Sequence, residues 1–488
     1  MVPSFDPKFR CSRREIPGGR GLPKIPAVRT TPETRVPAPR RPESMKKFHV
    51  ATLGCKINQY ESQALAESWA REHERVDAPE AADLILVNSC AVTANAVADL
   101  RQLVRKLHRS NPAAEIVVTG CAAQVMAEEL AELPGVTRVV AQADKAELLE
   151  PLRPLAVSTA GEATEERNGN DPVAGRFPGF AISDYHRARA VVKIQDGCSH
   201  HCTYCIVPLT RGPSVSRPMG EVLAEARRLL DGGFRELILS GVNLRHFGRD
   251  LPGRPDFWDL VSRLEGEFAD EWKGRARLRI SSVEPGQLTD KALDVLAASS
   301  LVCPQLHLSL QSGDPKVLRR MGRGHYRPEQ ALEFARRLEG VWPVFGLGAD
   351  IIAGFPGETA EQFERTLEFC ENLPLSYAHV FPYSVRPGTR AASMSDQVDG
   401  AERKARAARL RKAVAVKKRK FLAHLLELPR LDVLVQDAGT GVGVSEYYAA
   451  CRLESGAAGS RELVRCRPLR VERGVVVVGP GASPSTNA

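Results

Sequence analysis

Between Lys46 and about Pro154, short β-branched runs alternate with stretches whose apolar residues return at helical spacing. FHVATLG, DLILVNSC, EIVVTGC and TRVVA read as strands, and ESQALAESWAREHE, NAVADLRQLVRKLHRS and AAQVMAEELAEL between them as helices. Such alternation predicts a small parallel α/β domain over 45–155. A Gly-, Asn-, Glu- and Thr-rich linker is expected at 156–187. A second alternation follows, with ARAVVKIQDGC, ELILSGVN, RLRISSVEP, QLHLSLQSG, VFGLGADIIAGFPG and YAHVFPYS as strands, and EVLAEARRLLDGG and ALEFARRLEG among the helices. Six strand–helix units are too few to close an eight-fold barrel. Residues 188–400 are therefore expected to form an open or partial (β/α)6 barrel, with its site at the strand C-termini.

The two ends of the chain differ from this middle. Residues 401–425 read as a helix with Leu410, Val414, Phe421 and Leu425 on roughly one face and basic residues over the rest. Beyond it, 426–488 holds short β-rich runs with Gly-containing turns, which suggest a small β-barrel, a common nucleic-acid-binding format. At the other end, 1–44 are so rich in Pro and Arg that they cannot sustain a helix, and a disordered extension is expected. Met45, just before the first strand, is an alternative start; a transit peptide is disfavoured because the prolines spoil an amphipathic helix. No internal repeat is evident.

With 488 residues and 43% hydrophobic content, there is material for buried cores in roughly three domains. The expected setting is cytoplasmic and reducing: no apolar run approaches the roughly 18 residues of a membrane span, and the N-terminus lacks the apolar core of a signal peptide. The formal charge of +9 is concentrated: 401–425 hold ten Lys or Arg against one acid, Glu402. That patch either contacts the phosphates of a polyanion or is merely the solvated face of a linker helix.

The eleven cysteines are too few, and odd in number, for a disulfide framework, so metal or redox chemistry becomes the better expectation. Cys198, Cys202 and Cys205 in DGCSHHCTYC have Cys-x3-Cys-x2-Cys spacing on one tight loop after the first barrel strand. Three thiolates so placed can ligate three irons of a 4Fe-4S cluster and leave the fourth iron open. Zinc is the rival, but it wants a fourth protein ligand, and His200 and His201 are crowded inside the same loop. Cys55, Cys90 and Cys121 each close one of the first three strands, where ligands collect in open α/β sheets. Each alone could be a small buried hydrophobe; together, in LGC, NSC and TGC, they read as a ligand set approached closely by glycines. Cys303, Cys370, Cys451 and Cys466 lack such company and read as core or surface residues.

The barrel loop, with Tyr204 in its aromatic place, resembles that of the radical S-adenosylmethionine (SAM) superfamily, whose open iron chelates SAM and cleaves it to a 5′-deoxyadenosyl radical. A closer resemblance, covering about 45–485, rests on TLGCKINQYES, VNSCAVT, TGCAAQ, KIQDGCSHHCTYCIVPLTRGPSVS, RISSVEP, HLSLQSG and ADIIAGFPGET in this order. These segments look like the methylthiotransferases. HVFPYSVRPGTRAA at 379–392 favours the branch acting on N6-threonylcarbamoyladenosine in tRNA. The tail resembles a short, divergent TRAM domain.

This resemblance implies a transferase adding a methylthio group to carbon 2 of that nucleoside, at position 37 next to the anticodon. It implies two 4Fe-4S clusters, the second on Cys55, Cys90 and Cys121 delivering sulfur, and two SAM molecules per turnover. The C–H bond at carbon 2 has no acidic proton, so a radical is needed where no general base could act, and a single-stranded loop lets the base be splayed out. Besides Tyr204, Glu284 and Gln311 are expected to bind the SAM ribose or aminocarboxylate, unless they merely solvate strand ends. Gly354, Pro356, Gly357 and Glu358 either line the adenine pocket or form a structural turn. His201 departs from the aromatic residue common among relatives, which bears on loop packing and not on the ligands. The expected partners are tRNA, an electron donor and a sulfur source, for a monomer with no membrane contact. The rivals are methylthiotransferases acting on isopentenyladenosine or on a ribosomal-protein aspartate and, outside enzymes, an RNA-binding iron-sulfur protein.

Overall fold

The computed structural model describes residues 45–149, 177–454 and 458–481. The expectations for 1–44 and for most of the linker lie outside the described residues.

The first alternation builds a five-stranded parallel sheet in the order β2-β1-β3-β4-β5, from β1 (Lys47–Thr52), β2 (Glu74–Arg75), β3 (Leu84–Ser89), β4 (Glu115–Gly120) and β5 (Val136–Val140). The central strand β3, LILVNS, is buried along its whole length, as a strand covered on both faces must be. Helix α1 (Lys56–Trp69) and α2 (Ala94–Ser110) flank it, α2 starting where the Thr93 hydroxyl accepts from the Ala96 amide at 3.1 Å. The segment AAQVMAEELAEL, expected as one helix, is instead two: α3 (Cys121–Val125) and α4 (Ala127–Ala131). Met126 leaves helical geometry at φ −143°, ψ 34°, and the bend lets both Met126 and Leu130 pack into the core beside β3 and β4.

The second alternation supplies six parallel strands: β6 (Ala190–Lys193), then, beyond the short pair β7 (Gln195–Asp196) and β8 (Val215–Ser216), β9 (Glu236–Ser240), β10 (Arg277–Ile280), β11 (Gln305–Gln311), β12 (Gly346–Ala353) and β13 (Tyr377–Pro382). They form two triplets, β6-β9-β10 and β11-β12-β13, joined by bridges Leu278–Val302 and Val283–Leu308. Among the described residues β13 does not pair with β6, so the barrel is open on that side. Helices α5 (Val207–Arg211), α6 (Met219–Asp231), α7 (Phe257–Trp272), α8 (Asp290–Ala298), α9 (Pro315–Arg320), α10 (Pro328–Leu338) and α11 (Ala360–Asn372) complete the units. Strand periodicity sorts the two faces: Leu347, Ala349 and Ile351 of β12 join the helix-side core, whereas Gly348 and Asp350 sit beside His307, Tyr377 and His379 inside. Phe48, Tyr60, Leu65 and Trp69 of the first sheet and α1 share one continuous core with the barrel.

Helix α12 (Gly400–Leu425) is packed against β13 and α11, where it buries Leu410 and Val414, and its last turn buries Leu422 and Leu425 in the core of the C-terminal domain. It ends in a closed five-stranded barrel ordered β14-β15-β16-β18-β17, from β14 (Leu431–Asp437), β15 (Val442–Ser445), β16 (Ala450–Leu453), β17 (Leu463–Glu472) and β18 (Val475–Pro480). Arg277 donates to the carbonyls of Asp432 (2.7 Å) and Val444 (2.9 Å), and Arg279 to those of Ser445 (3.0 Å) and Glu446 (3.1 Å). Both guanidiniums are held by the buried Glu236. Tyr448, at the tip of the same turn, lies under Arg279 and against Tyr377. No helix among the described residues is long and apolar enough to cross a membrane.

Candidate active site

The loop carrying Cys198, Cys202 and Cys205 runs from β7 to α5. It opens on Gly197 (φ +63°), where a Cβ would fall 1.9 Å from the Pro213 carbonyl, so no larger residue fits. The Gln195 side-chain nitrogen lies within hydrogen-bond reach of Asp196 O, Gly197 O and the Ser214 hydroxyl, and the Thr203 backbone amide donates to Met321 O at 2.9 Å, fixing the loop at both ends. Polar hydrogens are aimed at the sulfurs: Asn243 Nδ2 lies 3.6 Å from Cys198 Sγ and Arg323 Nη1 3.7 Å from Cys202 Sγ. Burial pushes the Cys205 thiol up to about 12 and raises those of Cys198 and Cys202, while Asn243 and Arg323 draw the latter two back. His200 turns its Nε2 to the Gly322 carbonyl (3.1 Å), and His201 is exposed.

Glu284 faces the same sulfurs from beyond β10, bonded to Asn243, Arg245, Arg323 and His325. Burial opposes its ionisation, but His325 and Arg323 outweigh burial and hold its carboxyl below the usual range. Gln311 ends β11 at φ +69°, just past an irregularity in register with β12, a strained conformation held by its surroundings. Tyr204 meets Phe355 edge-on at 6.5 Å, and Phe355 meets Tyr383 at 5.6 Å, so an aromatic row leads away from the loop. Glu358 is turned back: one oxygen takes the Gly354 amide (2.7 Å) and Arg406 (2.9 Å), and the other is buried without a partner.

The second trio is drawn together by the sheet. Cys90 follows β3 directly, Cys121 opens α3 after β4, and Cys55 caps α1 three residues beyond β1. Gly54 (φ +102°) is what lets them meet, since a Cβ there would lie 2.7 Å from Cys90 Cβ and 3.0 Å from its sulfur. Burial pushes the Cys90 thiol up to about 11; the Val92 amide pulls it back, and the nearby Cys55 and Cys121 raise it again. The other four described cysteines are buried outside both trios, Cys303 and Cys370 singly and Cys451 with Cys466 in the core of the C-terminal barrel.

Between the trios, α3 packs on α5, and a buried charge network crosses the contact. Arg211 donates to Glu61 (2.9 and 3.2 Å), Asp196 (2.9 Å) and Asn58 Oδ1 (2.6 Å). Lys193 joins Glu61 (2.7 Å) to Asp196 (2.6 Å), and Lys145 bonds Glu61 (2.6 Å) and Asn88 (3.0 Å). Asn58 in turn donates to Ser89 O (2.8 Å), the carbonyl before Cys90. Burial works against the Arg211 charge, but Asp196, Glu61 and Cys121 more than restore it. Two carboxylates face three basic groups, and the surplus lies against Cys90 and Cys121, an environment suited to anionic sulfur ligands. Glu61, Lys193, Asp196 and Arg211 all stand inside motif segments read from the sequence, yet only folding reveals them as one network.

Two family models match: the Radical SAM superfamily over residues 192–370 and the Uncharacterized protein family UPF0004 over 47–142. The chain is 36% identical over 365 residues to the threonylcarbamoyladenosine tRNA methylthiotransferase MtaB of Rickettsia prowazekii, spanning 74% of this chain and 81% of that one. The chain belongs to the radical SAM methylthiotransferases. MtaB of Bacillus subtilis is 37% identical, over 72% of this chain and 76% of that one. The tRNA-2-methylthio-N(6)-dimethylallyladenosine synthase of Thermus thermophilus is 36% identical, over 72% and 73%. A radical SAM methylthiotransferase is a transferase that works with SAM and 4Fe-4S clusters, and the donors aimed at Cys198 and Cys202, with the Val92 amide beside Cys90, suit cluster thiolates.

Proposed function

We propose that this methylthiotransferase adds a methylthio group to carbon 2 of N6-threonylcarbamoyladenosine at position 37 of tRNA, next to the anticodon. What supports the chemistry is the pair of cysteine trios joined through Arg211 and Glu61, and what supports this nucleoside is the 36–37% identity to two threonylcarbamoyladenosine methylthiotransferases together with the HVFPYSVRPGTRAA segment. In this reading Cys198, Cys202 and Cys205 hold the cluster that binds SAM, and Cys55, Cys90 and Cys121 hold the one that delivers sulfur. When bound, these groups supply one-electron cleavage of SAM and a transferable sulfur.

The chain's own residues do the rest. Asn243 and Arg323 orient and stabilise the barrel thiolates, and Glu284 fixes both of those donors. Tyr204, Glu284, Gln311 and the Gly354–Glu358 turn form the SAM surroundings. The Arg211–Glu61 network keeps the two loops at constant separation. Residues 45–155 thus serve sulfur delivery, 188–400 the radical chemistry and 401–488 the RNA, in a cytoplasmic monomer that draws on an external electron donor and sulfur source. Five basic side chains of α12, Lys404, Lys412, Lys418, Arg419 and Lys420, are exposed and without hydrogen-bond or ion-pair partners among the described residues, as a phosphate-contacting face requires.

Mass spectrometry of tRNA nucleosides from a deletion strain, with and without the complementing gene, tests the reading. Loss and recovery of the 2-methylthio form of threonylcarbamoyladenosine supports it. Recovery instead of the 2-methylthio form of isopentenyladenosine would transfer the chain to the other branch.

A further inference from the structure

Besides Arg211, six arginines are buried among the described residues: Arg217, Arg277, Arg279, Arg323, Arg386 and Arg406. Five are ion-paired, to Glu225, Glu236, Glu236, Glu284 and Glu358 in that order. Arg386 is the exception. It is 6% exposed, its guanidinium has the Ser384 hydroxyl (3.0 Å) as its protein partner, and its Nε is buried with no partner. Beside it the hydroxyl of Tyr383 is also buried and unpartnered. Two orphaned donors on one short segment break the rule that buried polar groups find partners.

The segment's course says where they are held. Tyr383 still follows the β12–β13 ladder, its amide on Ala353 O at 2.8 Å. Thr389 then closes a turn on the Arg386 carbonyl, through its amide (3.1 Å) and hydroxyl (2.7 Å). Gly388 rests on Leu209 of α5, the helix that meets α3 between the trios. The Ala391 amide finally reaches Thr203 O, inside the barrel cysteine loop, at 2.8 Å. Arg386 lies within electrostatic range of Cys90, and Tyr383 ends the aromatic row that starts at Tyr204. The turn therefore lies alongside both cysteine sites. A planar guanidinium kept free there matches a planar or tetrahedral oxyanion, with the phenol adding a third hydrogen bond.

We propose that Arg386 and Tyr383 form an oxyanion-binding site that receives the target nucleotide of the RNA, through either its threonyl carboxylate or its own phosphate, and seats it between the two trios. This rests on the proposed function for the identity of the RNA.

The test uses the cluster-loaded full chain and synthetic anticodon stem-loops carrying threonylcarbamoyladenosine or plain adenosine at the target position. Binding and iron content are measured for wild type, R386Q, R386K and Y383F. R386Q is expected to weaken the modified stem-loop by about tenfold to a hundredfold, as loss of a charged hydrogen-bonding pair does. R386K, which keeps charge without the fork, should recover part of that loss, and Y383F should lose less than R386Q. If the carboxylate is bound, R386Q erases the preference for the modified loop; if the phosphate is bound, both loops weaken equally. Affinities for both loops within twofold of wild type would overturn the site. So would loss of iron in R386Q that R386K restores, which would make Arg386 a counter-charge to Cys90, or loss of iron in both, which would make it a structural support of the cluster site. A wild type that modifies an isopentenyladenosine loop instead would overturn the substrate reading, and equal weakening of every loop by R386Q would still stand.

Discussion

Arg211 donates to both carboxylate oxygens of Glu61, at 2.9 and 3.2 Å, and so ties the helix after the barrel cysteines to the helix that begins at Cys55. Both side chains are buried, and Glu61 also serves Lys145 and Lys193. One carboxylate is thus the hub for three basic groups.

Removing that hub should be costly. Glu61→Gln leaves Arg211, Lys145 and Lys193 facing Asp196 alone, and breaking a buried ion pair from one side costs about 3–5 kcal/mol. Denaturant unfolding of the iron-free variant should show a loss of that order. A loss below about 1 kcal/mol would mean that water enters the network readily.

The two trios should load independently. Anaerobic reconstitution is expected to give about eight irons per chain, and about half of that after Ala replacement of Cys198, Cys202 and Cys205. In Cys90→Ala, SAM cleavage should persist while 2-methylthio product disappears. Product at the wild-type rate would make the N-terminal trio purely structural.

The exposed face of α12 should report on phosphate contact. Lys417 is tethered to the Glu371 carbonyl, whereas Lys418, Arg419 and Lys420 are free. Reversing these three to Glu should weaken all tRNAs alike and flatten the log–log salt dependence by about 0.7–0.9 per lost contact. Parallel slopes at equal affinity would leave the C-terminal barrel as the holder of the RNA.

Glu446 should make stability fall as pH rises. Burial lifts its carboxyl from 4.5 to about 7, against the opposing pull of the Asp432 amide and Arg277. Below about pH 4.5 both folded and unfolded forms are protonated; between there and about 7 only the folded form keeps the proton, so stability declines across this window and then levels off. The whole effect is at most roughly 3 kcal/mol. Comparing wild type with E446Q by denaturation at pH 5 and pH 8 isolates it, because the variant lacks this contribution. Equal changes in both proteins would place Glu446 in contact with water.

What was legible in the sequence was local. β3 and β12 announce themselves by β-branched runs, and Cys198, Cys202 and Cys205 by a spacing that one loop must satisfy. Cys55, Cys90 and Cys121 could be grouped because a parallel sheet brings successive strand ends to one edge. The bend at Met126 was hidden because its residues all favour helix, and packing overrides that preference. Glu61 with Arg211, and the unpaired state of Arg386, depend on partners brought close only by folding. A charged residue in a motif carries no mark of whether its counter-charge will arrive.

The seat of the C-terminal barrel has a different kind of independence. Arg277 and Arg279 grip the carbonyls of Asp432, Val444, Ser445 and Glu446, atoms that every amino acid possesses. Substitutions along those strands leave the handholds in place as long as the backbone keeps its course. The small barrel is free to drift in sequence while remaining anchored to the N-terminal ends of β9 and β10, the end of the large barrel opposite the cysteine loop.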